Sequence, residues 1–416
     1  MSDQNISVQD TIAELVSRRG FLKGAASVVA AQSTMAVAKG MGYGRDQTKT
    51  FAYVGTYTGD DGNGQGIYLY DVDSQSGALT LIKLAAATTS PSALILSSTG
   101  KYLYAVNEVS DFQGSNGSVS AYAVNRSTGD LTLLNVVSSK GGGPVFLSAD
   151  ATGKYLFVAN YGGGSIAVLP VKPDGSLGAA VDLHLDTGNV GPTTPTNAPP
   201  GSTANSGHDA PHVHSAVIDP NNKFVLQADL GQDRIYSYSF NARSGKLTPA
   251  DTPFVALPPG DGPRHIAFHP NGSWVYSIQE EASTLTFFLY DSSSGALQFQ
   301  QMISSLPPGF TGTSYASELQ ISADGRFLYA ANRLEDSITL FTVGGDGQLT
   351  YVAETATEGK YPRQFAIDPT GSFLYVCNQN SDNLTSFRID SVSGELTFTG
   401  QSTSVGTPSC IAFLAT

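Results

Sequence analysis

The stretch GPRHIAFHPNGSWVYSIQEEASTLTFFLYDSSSGALQ, residues Gly262 to Gln298, decides the fold because it reads as one complete repeat unit. An apolar run follows Pro263, and a His-Pro-Asn-Gly turn separates it from a second run that ends at Gln279. A third run and a Ser-Gly turn precede a last run that includes Leu297. Runs rich in β-branched and aromatic residues, separated by Gly, Pro, Asn and Ser, are typical of strands joined by tight turns. The stretch therefore predicts four short strands.

Two markers of this unit recur along the chain. A turn residue is followed seven positions later by Asn, Asp or Gln in six places, which are Gly100 with Asn107, Gly153 with Asn160, Asn222 with Asp229, Gly272 with Gln279, Gly325 with Asn332 and Gly371 with Asn378. The tripeptide Gly-x-Leu occurs in seven places in phase with them, at Gly77, Gly129, Gly175, Gly245, Gly295, Gly347 and Gly394. The recurring Asn residues are expected to bond the backbone of the following turn. Six copies of the first marker against seven of the second leave the seventh repeat incomplete by half a unit.

The two ends of the repeat region supply the missing half. Phe51–Thr56 reads as a second strand with no first strand before it, and Thr407–Leu414 reads as a first strand with no second strand after it. A repeat of about fifty residues with four strands is the signature of a β-propeller. We therefore predict an all-β, seven-bladed β-propeller of four-stranded antiparallel blades, closed by pairing the N- and C-terminal strands in one blade.

Composition excludes some classes of partner and cofactor. The formal charge of -13 argues against a nucleic-acid partner, since such binding depends on Lys and Arg that neutralise phosphates. No closely spaced Cys/His ligand set, P-loop or dinucleotide fingerprint occurs, so no metal and no cofactor is expected. Any chemistry is then predicted to rest on acid, base and electrostatic groups.

The segment Ser17–Lys23, SRRGFLK, and the small-residue stretch after it resemble a twin-arginine export signal. We expect residues 1–38 to be this signal, 39–50 a linker and 51–416 the propeller, with 186–210 an inserted loop that covers the functional face or projects freely. A retained membrane anchor is the competing reading. The expectation is a periplasmic or secreted monomer with no stable membrane insertion after signal removal.

In a propeller the first strands line the central channel, so their starts and the ends of the second strands ring one mouth. The first ring reads Ser92, Val145, His214, Arg264, Ser317, Arg363 and Ser409, with His265 and Glu318 one position further in. The second ring reads Thr56, Glu108, Tyr161, Leu230, Glu280, Arg333 and Gln379. Because only 14% of residues are charged, this concentration of His, Arg and Glu predicts a site for an anionic ligand. Structural bridges between neighbouring blades are the alternative.

The chain resembles the lactonase family of seven-bladed β-propellers, which includes propeller-type 6-phosphogluconolactonases and carboxy-muconate lactonising enzymes. The resemblance rests on segments of four blades, which are PHVHSAVIDP (211–220) with ADLGQDRIYSY (228–238), GPRHIAFHPNG (262–272) with VYSIQEE (275–281), SELQISADGRFLYAANRLEDSI (317–338), and YPRQFAIDPTG (361–371) with CNQNSDNL (377–384). It implies catalytic roles for His214, Arg264, Glu280 and Arg333. It also implies substrate contacts from Glu318, Arg363 and Gln379, and His265 is added from its position in the ring. His212 precedes His214 by two residues and so points to the same side of an extended strand, where it is either a second ligand-facing imidazole or a cap of the loop.

The resemblance favours hydrolysis of a sugar-acid lactone without a metal, like a 6-phosphogluconolactonase, with an anionic lactone or sugar acid as the small-molecule partner. Arg264 and Arg333 would hold the anionic group and polarise the carbonyl, and Glu280 or His214 would be the general base. Two alternatives stay open. One is a lyase or isomerase that forms or opens a muconolactone, and the other is a non-catalytic exported propeller that binds a ligand or a protein.

Overall fold

The computed structural model describes residues 49–205 and 207–416, and these residues form almost nothing but strands and turns. The strands are β1 Thr50–Thr56, β2 Gly66–Val72, β3 Leu79–Ala87, β4 Ala93–Leu96, β5 Tyr102–Phe112, β6 Asn116–Asn125, β7 Asp130–Ser138, β8 Pro144–Ala149, β9 Tyr155–Asn160, β10 Ser165–Pro170, β11 Asp182–Leu185, β12 Val213–Ile218, β13 Phe224–Asp229, β14 Arg234–Asn241, β15 Lys246–Ala256, β16 Pro263–Phe268, β17 Trp274–Gln279, β18 Thr284–Asp291, β19 Ala296–Ser304, β20 Tyr315–Ile321, β21 Phe327–Arg333, β22 Ser337–Val343, β23 Leu349–Ala356, β24 Pro362–Ile367, β25 Phe373–Asn378, β26 Asn383–Ile389, β27 Leu396–Ser404 and β28 Pro408–Ala415. Two single 3-10 turns, Gly59–Asp61 and Gln379–Ser381, complete the described secondary structure.

The described strands form seven four-stranded antiparallel sheets, which confirms the predicted blades. Blade one has the order β28-β1-β2-β3, and blades two to seven each use four consecutive strands from β4 onward. In blade one, β28 and β1 pair from Thr50 opposite Ala415 to Thr56 opposite Pro408. The predicted closure of the ring by the two terminal strands is therefore confirmed.

The core lies between the blades. The innermost strands β4, β8, β12, β16, β20, β24 and β28 contact one another in a closed ring. One apolar cluster fills each of the seven interfaces between neighbouring blades, as between β17 and β21. Second strands such as β21 and β25 are buried along their whole length because they face a neighbouring blade on both sides. Alternating burial in the fourth strands, as in β23, fits a blade edge with one face toward solvent.

The Gly-x-Leu marker is a contact between blades as well as a turn. Gly347 has a φ of 88°, and a Cβ there would lie 2.3 Å from the ring of Phe287 in the preceding blade. The hydroxyl of Tyr276 donates a hydrogen bond to the Gly347 carbonyl at 2.6 Å. Gly77 in blade one meets Phe373 of blade seven in the same way. Glycine is required there by backbone conformation and by close approach together.

The recurring Asn residues are structural, although their partners differ from those predicted. The Asn332 amide donates to the carbonyl of Ser305 at 2.9 Å and to the hydroxyls of Ser337 and Thr339. It thus ties β21 to β22 and to the loop before β20, rather than to the turn that follows it. Asn378 makes the corresponding bonds in blade seven. The sequence spacing identified these positions, but the partners come from elements that only the blade brings together.

The segment between β11 and β12 lies along mouth-side loops of blades four, five and six. Gly191 donates to the Gly231 carbonyl at 2.8 Å, and Thr196 donates to the Pro259 carbonyl at 3.2 Å. Further along, Gly312 donates to the Pro200 carbonyl at 2.9 Å. Within the described residues this segment therefore has hydrogen-bonded partners at each of three neighbouring loops.

A buried carboxyl pair lies where this segment leaves β11. The Gln227 amide donates to Asp186, and Asp229 accepts hydrogen bonds from the backbone N–H groups of His212 and Gln232. Burial, together with the hydrogen bond and charge of Asp229, raises the pKa of Asp186 to about 9. Asp186 therefore keeps its proton at neutral pH and directs it toward Asp229, since two adjacent buried carboxylates cannot both ionise cheaply.

The signal and linker predicted for residues 1–50 lie outside the described residues, apart from its last two positions. Over the part of the chain that the structure describes, no helix has the length and apolar character needed to cross a bilayer.

Candidate active site

A β-bulge lies near the start of six of the seven inner strands, all except β4, and it decides where the side chains there point. In β12 the pairing passes from Val213 directly to Ser215, so His214 has no partner in β13. Arg264 and Arg363 are skipped in the same way in β16 and β24. A bulge bends its strand and re-aims a side chain, and bulges are common beside active sites. The predicted mouth ring is therefore built by a repeated irregularity, which the regular pattern of the sequence does not reveal.

A carboxylate between two guanidinium groups forms the centre of this mouth. The Arg264 Nε donates to Glu280 Oε2 at 3.0 Å, and the Arg333 NH2 group lies 2.5 Å from the same oxygen. The two arginine side chains are 3% and 4% exposed, so these interactions are screened little by water. Burial opposes ionisation of Glu280, but the charges of Arg333 and Arg264 outweigh it and hold its pKa below its usual range.

Arg264 also begins a chain of hydrogen bonds toward blade six. Its NH1 group donates to His265 Nε2 at 3.2 Å and to the Ser317 carbonyl, and His265 Nδ1 lies 3.0 Å from Glu318 Oε1. Since a guanidinium only donates, Nε2 must accept and Nδ1 must carry the proton that reaches Glu318. Burial and the charge of Arg264 lower the pKa of His265, although Glu318 opposes them. Neutral His265 thus positions Arg264.

His214 has a free ring nitrogen at the mouth. Its ring meets His265 edge-on with centroids 5.1 Å apart, and its Nδ1 is buried without a hydrogen-bond partner among the described residues. Burial and the charges of Arg264 and His265 hold the pKa of His214 well below its usual range. The imidazole is therefore neutral at physiological pH and able to accept a proton.

The structure gives His212 a different environment from its neighbour. Its ring stacks on Tyr161 at 4.1 Å, Nδ1 donates to the Tyr161 carbonyl at 2.9 Å, and Nε2 lies 2.9 Å from Asp209. Both ring nitrogens are thus engaged. His212 lies beside the site. Its stacking partner Tyr161 also meets the ring of His214 edge-on, with centroids 5.6 Å apart.

Arg363 reaches the mouth from blade seven and is held less tightly than the other two arginines. Within the described residues its one hydrogen bond to a side chain is to Glu108 Oε2, at 3.5 Å, and its guanidinium lies 5.0 Å from the ring of Tyr57. The Tyr57 hydroxyl donates to the same Glu108 oxygen at 2.7 Å. Sequence reasoning missed Tyr57 and gave Glu108 no role. The sequence signal that could have indicated both residues was their position just after the buried part of a second strand, β1 for Tyr57 and β5 for Glu108.

Tyr361 and Gln379 lie at the edge of the site. The Arg333 NH1 group donates to the Tyr361 hydroxyl at 3.2 Å, and its guanidinium lies 5.1 Å from that ring. Gln379 donates its backbone N–H to the Tyr361 carbonyl at 3.1 Å, and its Oε1 is buried without a partner among the described residues. No described contact joins Gln379 to the other predicted site residues. Tyr361 was missed, and its φ of 61° just before a proline was not readable from the sequence.

A further anchor holds the loop that leads into β16. The buried side chain of His208 lies 3.1 Å from Asp233, and Asp233 accepts the backbone N–H groups of Gly260 at 2.7 Å and Gly262 at 2.9 Å. Burial raises the pKa of the adjacent Asp261 to about 7. Because Gly262 precedes Arg264 by two residues, this anchor fixes the approach of β16 to the mouth. Neither His208 nor Asp233 was predicted as a site residue.

Three of these groups, Arg264, His265 and Arg363, line a narrow cavity between the inner strands. Its lining comes from the inner strands and includes Ser92, Val145, Phe146, Arg264, His265, Arg363 and Ser409. Three guanidinium groups, a neutral imidazole and bridging carboxylates can polarise a carbonyl group and move a proton. Across residues 49–205 and 207–416, no cluster of three or more His, Cys, Asp or Glu side chains could hold a metal ion.

Fold and geometry together define a seven-bladed β-propeller with paired Arg, Glu and His side chains at one mouth of its channel. The model of the family described as Lactonase, 7-bladed beta-propeller, matches residues 51–413. The chain belongs to this lactonase family.

Curated relatives and a solved structure support this assignment. A 6-phosphogluconolactonase of Bacillus subtilis (strain 168) is 36% identical over 368 residues, covering 88% of this chain and 99% of the relative. One from Formosa agariphila is 33% identical over 320 residues, covering 75% and 85%. A periplasmic gluconolactonase of Pseudomonas aeruginosa superposes with a TM-score of 0.79 at 34% identity, covering 88% of this chain and 99% of that one.

Proposed function

We propose that this protein hydrolyses the lactone of a sugar acid at the mouth formed by His214, Arg264, Glu280 and Arg333. The observation that carries the proposal is the Glu280 carboxylate, which accepts from Arg264 and Arg333 while the neutral His214 packs edge-on against His265, a partner of Arg264. The names of the relatives, 6-phosphogluconolactonase and gluconolactonase, support the same reaction class.

His214 is the general base in this proposal, and Glu280 positions the two arginines. The Glu280 carboxylate accepts from two guanidinium groups, so taking a proton would disrupt both ion pairs. The His214 Nδ1 has no competing partner among the described residues and can accept a proton from water. The choice that the sequence left open between Glu280 and His214 is made on these two observations.

The reaction then follows ordinary acyl transfer to water. A water molecule gives a proton to His214 as its oxygen bonds to the lactone carbonyl carbon, and the carbonyl oxygen becomes an oxyanion. N–H groups of Arg264 and Arg363 that are not committed to protein partners stabilise that charge. The ring C–O bond breaks as the tetrahedral intermediate collapses, and the leaving oxygen takes the proton back from His214. The product is the open-chain hydroxy acid.

The test is the rate of lactone opening by the purified protein, with spontaneous hydrolysis subtracted. We expect Arg264→Ala and Glu280→Gln each to lower kcat/KM by about a hundredfold or more, because each removes a partner of the central ion pair. Arg126→Ala is a matched control, since Arg126 is exposed at the opposite rim and bonds only a backbone carbonyl. Unchanged rates in both site variants would refute the assignment of the site.

We also propose that Ser17–Lys23 directs export of the folded protein to the periplasm and that the mature chain acts as a monomer. The Arg-Arg pair followed by Phe-Leu-Lys supports the first point, and the periplasmic relative with a TM-score of 0.79 is consistent with it. Cell fractionation of the native chain beside an Arg18→Lys, Arg19→Lys variant tests export, which we expect the variant to lose. Light scattering of the mature protein tests the monomer.

A further inference from the structure

The three arginines at the mouth are held with unequal strength. Arg264 Nε lies 3.0 Å and Arg333 NH2 lies 2.5 Å from Glu280 Oε2. The NH2 group of Arg363 lies 3.5 Å from Glu108 Oε2, which is longer than an ordinary N–H···O hydrogen bond. No other side chain in the described part of the chain accepts a hydrogen bond from Arg363, which also lines the cavity between the inner strands. Arg363 is therefore the arginine that is free to turn toward a ligand.

The hydroxyl of Tyr57 occupies the carboxylate oxygen that faces Arg363. It donates to Glu108 Oε2 at 2.7 Å, and a short hydrogen bond from a hydroxyl to a carboxylate is among the strong ones. Burial raises the pKa of Tyr57 well above its usual range, so at neutral pH the hydroxyl keeps the proton that it donates. Tyr57 and Arg363 therefore compete for one oxygen, and the tyrosine has the shorter contact.

Main-chain hydrogen bonds fix the positions of Tyr57 and Glu108. The N–H group of Tyr57 donates to the Thr407 carbonyl at 3.0 Å, and the N–H group of Glu108 donates to the Ser90 carbonyl at 2.9 Å. Ser90 in turn donates its own N–H to the hydroxyl of Thr58, the residue after Tyr57, at 3.0 Å. The tyrosine and the glutamate are thus joined through one loop, and their contact does not depend on the arginine.

We infer that Tyr57 keeps Arg363 available to the substrate by occupying the glutamate oxygen that would otherwise bind it. Tyr57 is then a positioning residue, and the inference rests on the proposed function, in which Arg363 stabilises the oxyanion. Separating a guanidinium from a carboxylate is costly where water screens their attraction little. The guanidinium lies 5.0 Å from the centroid of the Tyr57 ring, a cation–π contact that it can keep while its N–H groups turn toward the substrate.

The first test removes the hydroxyl alone. Tyr57→Phe keeps the ring next to Arg363 but frees the glutamate oxygen, so we expect kcat for lactone opening to fall about tenfold and KM to change less than about twofold, because the oxyanion forms only after binding. Tyr329→Phe is the matched control, since it removes a buried hydroxyl that donates to the Gly394 carbonyl at 2.8 Å at the opposite rim. The control should lower the melting temperature and leave kcat unchanged. An unchanged kcat in a folded Tyr57→Phe protein would overturn the inference.

The second test asks whether the loss depends on the charge of the glutamate. Glu108→Gln removes the charge that attracts Arg363, so adding Tyr57→Phe to it should lower kcat less than about twofold further. Tyr57→Phe should also have no further effect in an Arg363→Ala protein. A tenfold loss that persists in either background would show that Tyr57 acts by another route. That outcome would overturn the inference and leave the proposed hydrolysis intact.

A crystal structure of the Tyr57→Phe protein measures the competition without reference to the rate. We expect the distance from Arg363 NH2 to Glu108 Oε2 to shorten from 3.5 Å to about 2.9 Å, the length of an ordinary charge-assisted hydrogen bond. A distance that stays at 3.5 Å would contradict the inference, whatever the rate. If the unaltered protein opens no lactone, the proposed function is refuted, and the role of Tyr57 in it as well.

Discussion

The two rims of the propeller use polar side chains in opposite ways. At the rim away from the site, Asp219 accepts the backbone N–H groups of Lys223 at 2.6 Å and Phe224 at 2.9 Å, and Asp150 and Asp368 do the same in their own turns. At the mouth, Glu280 and Glu318 are paired with side chains that reach them across the bulged inner strands. The aspartates of the far rim are bonded mainly within their own turns, whereas Glu280 and Glu318 at the mouth also pair with side chains of a neighbouring blade. Polar side chains are therefore available for chemistry at the mouth, where hydrogen bonds within a single blade do not satisfy all of them.

An Arg-to-Lys substitution made at each rim is expected to give the largest difference in kcat/KM between them. Arg264→Lys keeps the positive charge but loses the planar fork that serves Glu280, His265 and Ser317, so we expect kcat/KM to fall about a hundredfold. Arg326→Lys, at the opposite rim, removes a pair with the exposed Asp324 and should change the rate less than about twofold. Steady-state kinetics on one lactone measures both. Equal losses would mean that the rims do not differ in this way.

An aspartate of the opposite rim should affect stability and not rate. Asp219→Ala leaves the buried backbone N–H group of Phe224 and the half-buried one of Lys223 without their acceptor, which costs about 2 kcal/mol of unfolding free energy. We expect kcat/KM at a temperature well below the melting transition to stay within about twofold of the parent. Urea denaturation and the same kinetic assay give the two values. A stable variant with a large loss of rate would assign chemistry to the wrong rim.

The carboxyl pair beside the mouth should make stability depend on pH. A carboxyl group whose pKa is raised in the folded state binds an extra proton there, so stability falls as pH rises from the unfolded value near 4 to the folded value of about 9. Asp186→Asn cannot ionise, and its amide can donate to Asp229 in place of the shared proton. The melting temperature of the variant relative to the parent should therefore rise from pH 5 to pH 9. The exposed Asp251→Asn should show no such trend.

The smallest effect concerns the pH dependence of the rate. Because burial and Arg264 lower the pKa of His214, the base stays unprotonated throughout the neutral range. We expect kcat/KM, corrected for spontaneous opening, to be flat from pH 6.5 to 8 and to decline only below that range. A decline centred at or above pH 6.5 would point to a different base.

The sequence predicted the seven-bladed fold because each blade of a propeller repeats the same turn residues at nearly the same spacing. Gly347 and its counterparts mark the outer hairpins, and Asn332 and its counterparts mark the ends of the second strands, so the number of blades follows from their spacing. The residues that lie at the mouth could be predicted only from their position within each repeat. Ring membership follows from counting along each repeat, and it placed Arg264, Glu280 and Arg333 together correctly.

The pairing within the mouth could not be predicted in the same way. Whether Arg264 contacts His265 depends on a bulge, which adds a residue to one strand without a marker in the sequence. Tyr57 and Arg363 meet at the mouth from blades one and seven, about 300 residues apart in the chain, and only ring closure makes them neighbours. The anchor between His208 and Asp233 involves the one segment that departs from the repeat, so no counterpart elsewhere could indicate it.

Closure by β28 has a consequence for the order in which the molecule becomes functional. The strand that completes blade one is the last of the 28 strands to leave the ribosome, and it pairs with the first. Until then β1 has an unpaired edge, and such edges invite association with other chains. Contacts between residues so far apart in sequence also form slowly. The ring around the channel is therefore closed only once β28 has paired with β1.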